Sequence, residues 1–391
     1  MEFTINSRLG PTGLSIFAEM SALAVKHGAI NLGQGFPDYN PPEDLLALVA
    51  QTLNGQVHQY APMQGVGALR ESIASKMATE TGFTPDADLE ITVTAGATQA
   101  IFTAILALIR EGDEVIILEP CYDSYRPSIQ SAGGIAVASQ MVYRNSGAEG
   151  EGRFSIDWDD VEASVTDKTK MIIINSPHNP TGMIMDREDM SRLCTIVRDR
   201  NIIILSDEVY EHLIFDGRDH ESVWKYSELR SRSVSVHSFG KTFHSTGWKL
   251  GYIVAPARIM QAFRSIHQWN VFSVNSFLQH ALASYLQNPK NYDYLPQFYG
   301  NKRDYFREIM NGTKFRLLSC EGTFFQLADY SEITDMDDVA FSKWMTTEHG
   351  LTTIPVSVFS GVKTKNRLVR FCFAKTEALL SAAGERLTRV G

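Results

Sequence analysis

A lysine, an aspartate and an asparagine each stand just beyond a short apolar run in this sequence, where a chain leaving a buried strand can aim a side chain into a cleft. Lys241 falls in Ser238-Phe239-Gly240-Lys241-Thr242-Phe243, after the run 234–236. Asp207, with Tyr210 three residues on, follows Ile202-Ile203-Ile204-Leu205. Asn179 sits in Pro177-His178-Asn179-Pro180-Thr181-Gly182, after Met171-Ile172-Ile173-Ile174. Gly96-Ala97-Thr98 precedes an apolar helical stretch, so its N–H groups and hydroxyl form an anion site at a positive helix end. An amine condenses with an aldehyde, a carboxylate holds a proton on a pyridine nitrogen, and an amide and a phenol donate to a phenolate oxygen. With Ser238 and Lys249 added for a phosphate, these groups meet each requirement of a pyridoxal phosphate site.

Each residue alone has a plainer use. A loop lysine is ordinarily solvated, an aspartate after a strand can cap a helix, and Asn, Pro and Gly together make turns. Their recurrence at successive strand ends is what argues for one shared site. Competing motifs fail on spacing. Gly33-Gln34-Gly35-Phe36-Pro37-Asp38 lacks the third glycine of a dinucleotide fingerprint, and a P-loop ending at Gly240-Lys241-Thr242 would need a glycine where Ser235 stands. His220-Glu221 has no second histidine at helical spacing, and no metal site is expected.

The elements that must position these residues alternate between strand-like and helical patterns from about 90 to 255, the signature of βαβ units and a mostly parallel sheet. Strands are expected at 91–94, 114–118, 171–174, 202–205 and 234–236, with a helix at 100–109. Further on, the pattern predicts helices over 259–269, 276–286 and 291–310, then short strands at 324–327 and 368–373. The expected architecture is α/β: a large domain at 46–285, and a smaller α+β domain at 286–391 joined by the N-terminal segment 1–45.

Composition narrows the function classes. Hydrophobic residues at 44% and charged residues at 21% describe a folded, water-soluble protein. With 36 basic against 45 acidic residues, the net charge of −9 argues against nucleic acid as a partner. Apolar runs are strand-sized, so no membrane span is expected, and 1–10 shows no secretory pattern. Cys121, Cys194, Cys320 and Cys372 lack metal or disulfide spacing and are read as free thiols, which suits the cytoplasm.

The motifs Asn179-Pro180-Thr181-Gly182, Asp207-Glu208-Val209-Tyr210 and 238–243, in this order, resemble the class I aminotransferases of the fold-type I pyridoxal phosphate enzymes. The resemblance covers nearly the whole chain. Asn31-Leu32-Gly33-Gln34-Gly35-Phe36-Pro37-Asp38, Gln59-Tyr60-Ala61-Pro62-Met63 and Arg370-Phe371-Cys372-Phe373-Ala374-Lys375 are similar to the kynurenine and glutamine aminotransferase branch. Segments 240–251 and 267–275 are similar to bacterial methionine aminotransferases. The resemblance implies that Lys241 forms the Schiff base and shuttles the proton, Asp207 pairs with the pyridine nitrogen, and Asn179 and Tyr210 bond the phenolate oxygen. It further implies phosphate contacts from Gly96, Ala97, Thr98, Ser238 and Lys249, with Tyr122 stacked on the ring. Tyr60 corresponds to a tyrosine that reaches the phosphate of a partner subunit, which implies a homodimer with shared sites. Arg370 corresponds to the arginine that clamps the substrate α-carboxylate, Gly35 gives that carboxylate a backbone contact, and Phe17 and Asn179 line the substrate pocket.

Three positions depart from these patterns. Many class I members carry arginine where Lys249 stands, and a lysine is a point donor without the guanidinium fork. The kynurenine branch carries a tyrosine and a tryptophan where this chain has Thr98 and Phe17, so the substrate pocket should differ. The expected reaction moves the amino group of an amino acid to a 2-oxo acid in two ping-pong halves. The segment 14–18, Leu-Ser-Ile-Phe-Ala, offers no cation for an acidic side chain, which favours methionine with aromatic amino acids as companions. Alternatives are a kynurenine or glutamine aminotransferase, and a cysteine-conjugate carbon–sulfur β-lyase. A regulator with an aminotransferase-like sensor is disfavoured, because the resemblance begins near Arg8 and the net charge is −9. The roles of His178, His244 and His267 stay open.

Overall fold

A computed structural model describes residues 8–10, 14–144 and 151–390. Its centre is a seven-stranded sheet in the spatial order Ile91–Thr94, Gly251–Val254, Ser233–Ser238, Ile203–Asp207, Thr169–Asn175, Glu114–Glu119 and Ile135–Gln140. The five strands from Ser233–Ser238 to Ile135–Gln140 run parallel, whereas Gly251–Val254 is antiparallel to both of its neighbours. Helices cover both faces, which is why these strands read as unbroken apolar runs. The strand period of two still sorts their side chains: Ile116, Ile172 and Ile204 enter one core, while Ile117, Ile173 and Leu205 enter the other. Pairing of Asn175 with Asp207 aligns the carboxyl ends of two central strands, so polar residues just past them converge.

All the strands expected from the sequence form, within one or two residues of the expected ends. Gly251–Val254 and Ile135–Gln140 were not expected, and both belong to this sheet. The helix expected at 100–109 begins earlier, at Ala97, because Gly96 turns the chain at φ 79°. The helix expected at 291–310 is divided into a 3₁₀ turn at Pro289–Asn291 and a helix at Leu295–Met310, with Pro296 in its first turn. Proline lacks an N–H and suits a helix start, so the helical run restarts there.

A second, four-stranded antiparallel sheet holds Arg316–Leu317, Phe325–Asp329, Leu368–Cys372 and Ile354–Pro355. Ile30–Asn31 pairs in parallel with Leu351–Thr352, bringing the N-terminal segment to this end of the chain. Ahead of it, the helix Ile16–His27 is capped by the Ser15 hydroxyl, ends at Gly28 with φ 58°, and packs against the helix Asp338–Glu348. Among the described residues no helix is long and apolar enough to cross a membrane.

Candidate active site

The carboxyl ends of the central strands, the loop 33–36 and the strand Leu368–Cys372 enclose a cavity of about 550 Å³. Lys241 enters it from the short helix Phe239–Thr242, which begins directly after the strand Ser233–Ser238. Its Nζ donates to the Gly35 carbonyl at 2.8 Å. Burial lowers the Lys241 amine to about 8, and the Arg370 charge acts in the same direction. An amine so placed gives up its proton more readily than an exposed lysine does.

Asp207 ends the strand Ile203–Asp207 and is 4% exposed. Its Oδ2 accepts a hydrogen bond from the Tyr125 hydroxyl at 2.6 Å, and its Oδ1 accepts from the Val209 N–H at 3.4 Å. Burial pushes this carboxyl up to about 6, against the pull of the Tyr125 hydrogen bond. Asn175 ties the next strand to it: its Nδ2 donates to the Asp207 carbonyl at 2.8 Å, and its Oδ1 accepts from the Asn179 N–H at 2.8 Å. The turn carrying Asn179 is thereby fixed against the strand carrying Asp207.

Arg370 reaches the cavity from the other sheet and is 1% exposed. Its Nη1 donates to Asn179 Oδ1 at 2.7 Å and its Nη2 to the Gly33 carbonyl at 3.1 Å, while the buried Nε has no hydrogen-bond partner. Among the described residues no carboxylate pairs with it, and burial lowers it to about 10. The guanidinium lies 3.8 Å from the Phe325 ring centroid, with Phe17 and Phe359 at 5.4 and 5.1 Å. A buried guanidinium with a free N–H among aromatic faces is built to receive an anion. At position 35 any side chain would bring its Cβ to 2.7 Å from Phe325, so the close approach of this loop requires glycine.

The opposite end of the cavity is a helix N-terminus. The helix Ala97–Leu108 has no side-chain cap on its first turn. Lys249, at φ 54°, puts its ammonium beside Gly96, where an added Cβ would lie 3.6 Å from Nζ. Uncapped N–H groups and an adjacent ammonium attract a phosphate. Ser238 also lines this cavity, and Thr98 Oγ1 lies 3.1 Å from the Tyr122 hydroxyl. Tyr210 is buried beside Lys241, whose Nζ lies 5.5 Å from its ring centroid.

Of the residues singled out in the sequence, Gly35, Phe17, Gly96, Ala97, Thr98, Tyr122, Asn179, Asp207, Tyr210, Ser238, Lys241, Lys249 and Arg370 all line this cavity. Tyr60 does not: it is 83% exposed and packs on Phe272 at 5.5 Å. The sequence reading missed Tyr125, Asn175 and Asp123. Tyr125 and Asn175 make contacts across strands and helices that no local spacing shows, although Tyr122 and Tyr125 at helical spacing were a usable hint. None of the three open histidines lines the cavity. His178 pairs with Thr181 at 2.7 Å, His244 with Tyr299 at 3.0 Å and His267 with Gln99 at 3.2 Å. Burial holds all three well below the usual imidazole range, so they are neutral structural groups.

A second cavity, of about 740 Å³, lies away from these residues, and several of its lining charges, Glu80, Glu211, Asp216 and Arg303 among them, are ion-paired. Lys76 Nζ bonds Glu80 at 2.7 Å and Glu211 at 3.0 Å, and Arg303 grips Asp216 through two nitrogens at 2.7 Å.

The first cavity is the size of a cofactor pocket. Among the described residues it offers an amine free of a carboxylate partner, a buried carboxylate, an uncapped helix start flanked by an ammonium, and an unsatisfied guanidinium N–H. These donors suit pyridoxal phosphate together with a carboxylate-bearing substrate.

Comparison with known proteins agrees with this chemistry. Residues 27–387 match the family described as aminotransferase class I and II. The chain is similar to a methionine aminotransferase of Escherichia coli, at 46% identity over 98% of both chains. A solved Escherichia coli structure described as having a methionine aminotransferase function superposes with a TM-score of 0.95, covering 99% of this chain and 100% of that one. A kynurenine–oxoglutarate transaminase of Dictyostelium discoideum is 34% identical over 97% of this chain and 94% of that protein. The solved N-succinyldiaminopimelate aminotransferase of Mycobacterium tuberculosis is 34% identical, with a TM-score of 0.94 over 99% of this chain and 100% of that one.

Proposed function

The chain belongs to the class I and II aminotransferases, and from that premise we propose that it moves the α-amino group of methionine, and of aromatic amino acids, to a 2-oxo acid with pyridoxal phosphate as cofactor. The observation that carries the reading is Lys241: a buried amine whose hydrogen-bond partner among the described residues is a carbonyl and not a carboxylate, sharing one cavity with Asp207 and Arg370.

Pyridoxal phosphate, when bound, supplies an aldehyde that exchanges amines and a ring that accepts the electron pair left at the substrate α-carbon. Asp207 would hold a proton on the ring nitrogen, while Asn179 and Tyr210 would donate to the phenolate oxygen. Gly96, Ala97, Thr98, Ser238 and Lys249 would hold the phosphate, with Tyr122 as the aromatic partner of the ring. Arg370 binds the substrate α-carboxylate through the edge that carries its unpartnered Nε. Lys241 Nζ, as a free amine beside the substrate α-carbon, would take up the α-proton and return it. Its value of about 8 matches a base working near neutral pH.

The side-chain preference rests on the charges in the wall. The cavity's cations are Lys241, Lys249 and Arg370, each already assigned, and its remaining acid is Asp123. Phe17, Phe36 and Phe325 complete an apolar surface. Among the described residues of this chain, a second carboxylate on the substrate would meet no counter-charge there. The Escherichia coli relative named for methionine points the same way.

Tyr60, exposed and outside its own chain's cavity, is assigned to the phosphate end of a second copy's site in a homodimer. We take 46–285 as the larger domain and 1–45 with 286–391 as the smaller one that carries Arg370. The four free, buried cysteines suit a cytoplasmic enzyme.

Turnover of a panel of amino donors against one 2-oxo acid tests the reading. Methionine and phenylalanine should exceed aspartate and glutamate in kcat/KM by about 100-fold, the scale set by one uncompensated buried charge. Equal use of aspartate would refute the neutral pocket, and pyruvate with ammonia from cysteine conjugates would reassign the chain as a lyase.

A further inference from the structure

Asp207 is a buried carboxylate whose short hydrogen bond comes from Tyr125, a residue outside the set that the sequence singled out. Tyr125 opens the helix Tyr125–Ser131, is 2% exposed, and donates to Asp207 Oδ2 at 2.6 Å. The other oxygen receives only the long contact from the Val209 N–H at 3.4 Å. Among the described residues no ammonium or guanidinium is hydrogen-bonded to this carboxylate. The titratable groups facing it are Tyr122 and Tyr125 from the turn before and the start of that helix, His237 and Lys241 from the strand Ser233–Ser238 and the turn after it, and Tyr210 just downstream. Tyr125 is the strongest of them in holding the charged form.

A proton shared between a carboxylate and a pyridine nitrogen rests on the stronger base. Burial makes a carboxylate more basic, whereas a hydroxyl donated to its second oxygen draws charge away and makes it less so. We propose that Tyr125 is a positioning residue that keeps the shared proton on the ring nitrogen of pyridoxal phosphate rather than on Asp207. The inference rests on the cofactor reading given above. Without the hydroxyl the proton moves to Asp207, the ring becomes neutral, and its capacity to take up the α-carbon electron pair falls. The same short segment serves the rest of the site, since the Tyr122 hydroxyl meets Thr98 and the Tyr122 ring packs edge-on against Tyr125 at 5.6 Å.

The test is ¹⁵N NMR of the holoprotein loaded with pyridoxal phosphate labelled at the ring nitrogen. Wild type is expected at the pyridinium position across neutral pH, and Tyr125→Phe displaced toward the unprotonated pyridine position. The rate of the methionine half-reaction should fall roughly 10- to 100-fold with little change in KM, as for partners that tune a catalytic group from behind. Because Tyr125→Phe also removes a buried polar contact, 4-aminophenylalanine at position 125 provides a second variant. It keeps the ring and donates a weaker N–H, and its resonance should lie between the other two. A Tyr125→Phe resonance at the wild-type position, or a 4-aminophenylalanine resonance outside the interval, overturns the proposal. Failure of wild type to bind the labelled cofactor through Lys241 would instead remove the reading on which it rests.

Discussion

Lys241 Nζ and the carbonyl of Gly35, 206 positions apart in the sequence, are joined by a 2.8 Å hydrogen bond. The bond brings the N-terminal loop onto the amine that leaves the central sheet. Because the partner is a carbonyl and not a carboxylate, the amine gains a position without gaining a counter-charge.

That uncompensated burial has a pH signature. The native Lys241 amine sits at about 8, below its ordinary 10.5. Below pH 8 both states are protonated and the native state bears the full cost of the buried charge. Between 8 and 10.5 the unfolded chain binds the extra proton, so stability rises with pH in that window. Lys241→Met in the cofactor-free protein should therefore stabilise it at pH 7 by roughly 2 kcal/mol, discounted for the open cavity. The advantage should shrink toward pH 10 in urea unfolding curves. A constant difference would contradict the assignment.

Arg370 is held by Asn179 Oδ1 and the Gly33 carbonyl with a planar fork that lysine cannot reproduce. Arg370→Lys should lower kcat/KM for methionine by about 2–4 kcal/mol, or roughly 30- to 1,000-fold, from loss of a bidentate charge-assisted contact. Steady-state kinetics measure it. A loss below threefold would place the substrate carboxylate elsewhere.

Asp123 lines the same cavity, where burial pushes its carboxyl up and the Arg370 charge pulls it down. Its charge should repel a second substrate carboxylate. Asp123→Asn should raise kcat/KM for glutamate about tenfold relative to methionine, equivalent to about 1.4 kcal/mol. Equal change for both substrates would show that Asp123 only shapes the turn it occupies.

Away from the site, the Lys76 side chain is 3% exposed and bonds both Glu80 and Glu211. Burial alone would lower this lysine, but Glu211 and its neighbours hold it well above 10.5, so its contribution is complete at neutral pH. Burial would likewise raise Glu211, yet His237 and Lys76 hold it well below 4.5, and that contribution is lost only as acid reaches its native value. Lys76→Met should cost about 3–5 kcal/mol at pH 7, because it leaves the buried Glu211 and the partly exposed Glu80 facing one another without their shared counter-charge. Urea denaturation measures this, and a cost under about 1 kcal/mol would mean that the carboxylates are neutral.

The legible part of the site was the part written in contiguous segments. Lys241, Asp207 and Asn179 follow apolar runs whose buried character announces a parallel sheet, and ligands of such sheets gather at the carboxyl ends of strands. Tyr125 and Asn175 were not legible, since their partners lie on other elements and depend on the register of Asn175 with Asp207. The strand Gly251–Val254 escaped notice because it is short, follows a left-handed Lys249 and runs antiparallel in an otherwise parallel neighbourhood. The helix boundary at Leu295 was misplaced because periodicity continues through Pro296 while hydrogen bonding does not.

The most direct test of the account is the visible spectrum of the protein reconstituted with pyridoxal phosphate, recorded beside Lys241→Ala and followed during addition of methionine. The account predicts an imine band in wild type that is absent from Lys241→Ala, collapses on methionine addition and is accompanied by the corresponding 2-oxo acid. A band that persists in Lys241→Ala, or that methionine leaves unchanged, would contradict it.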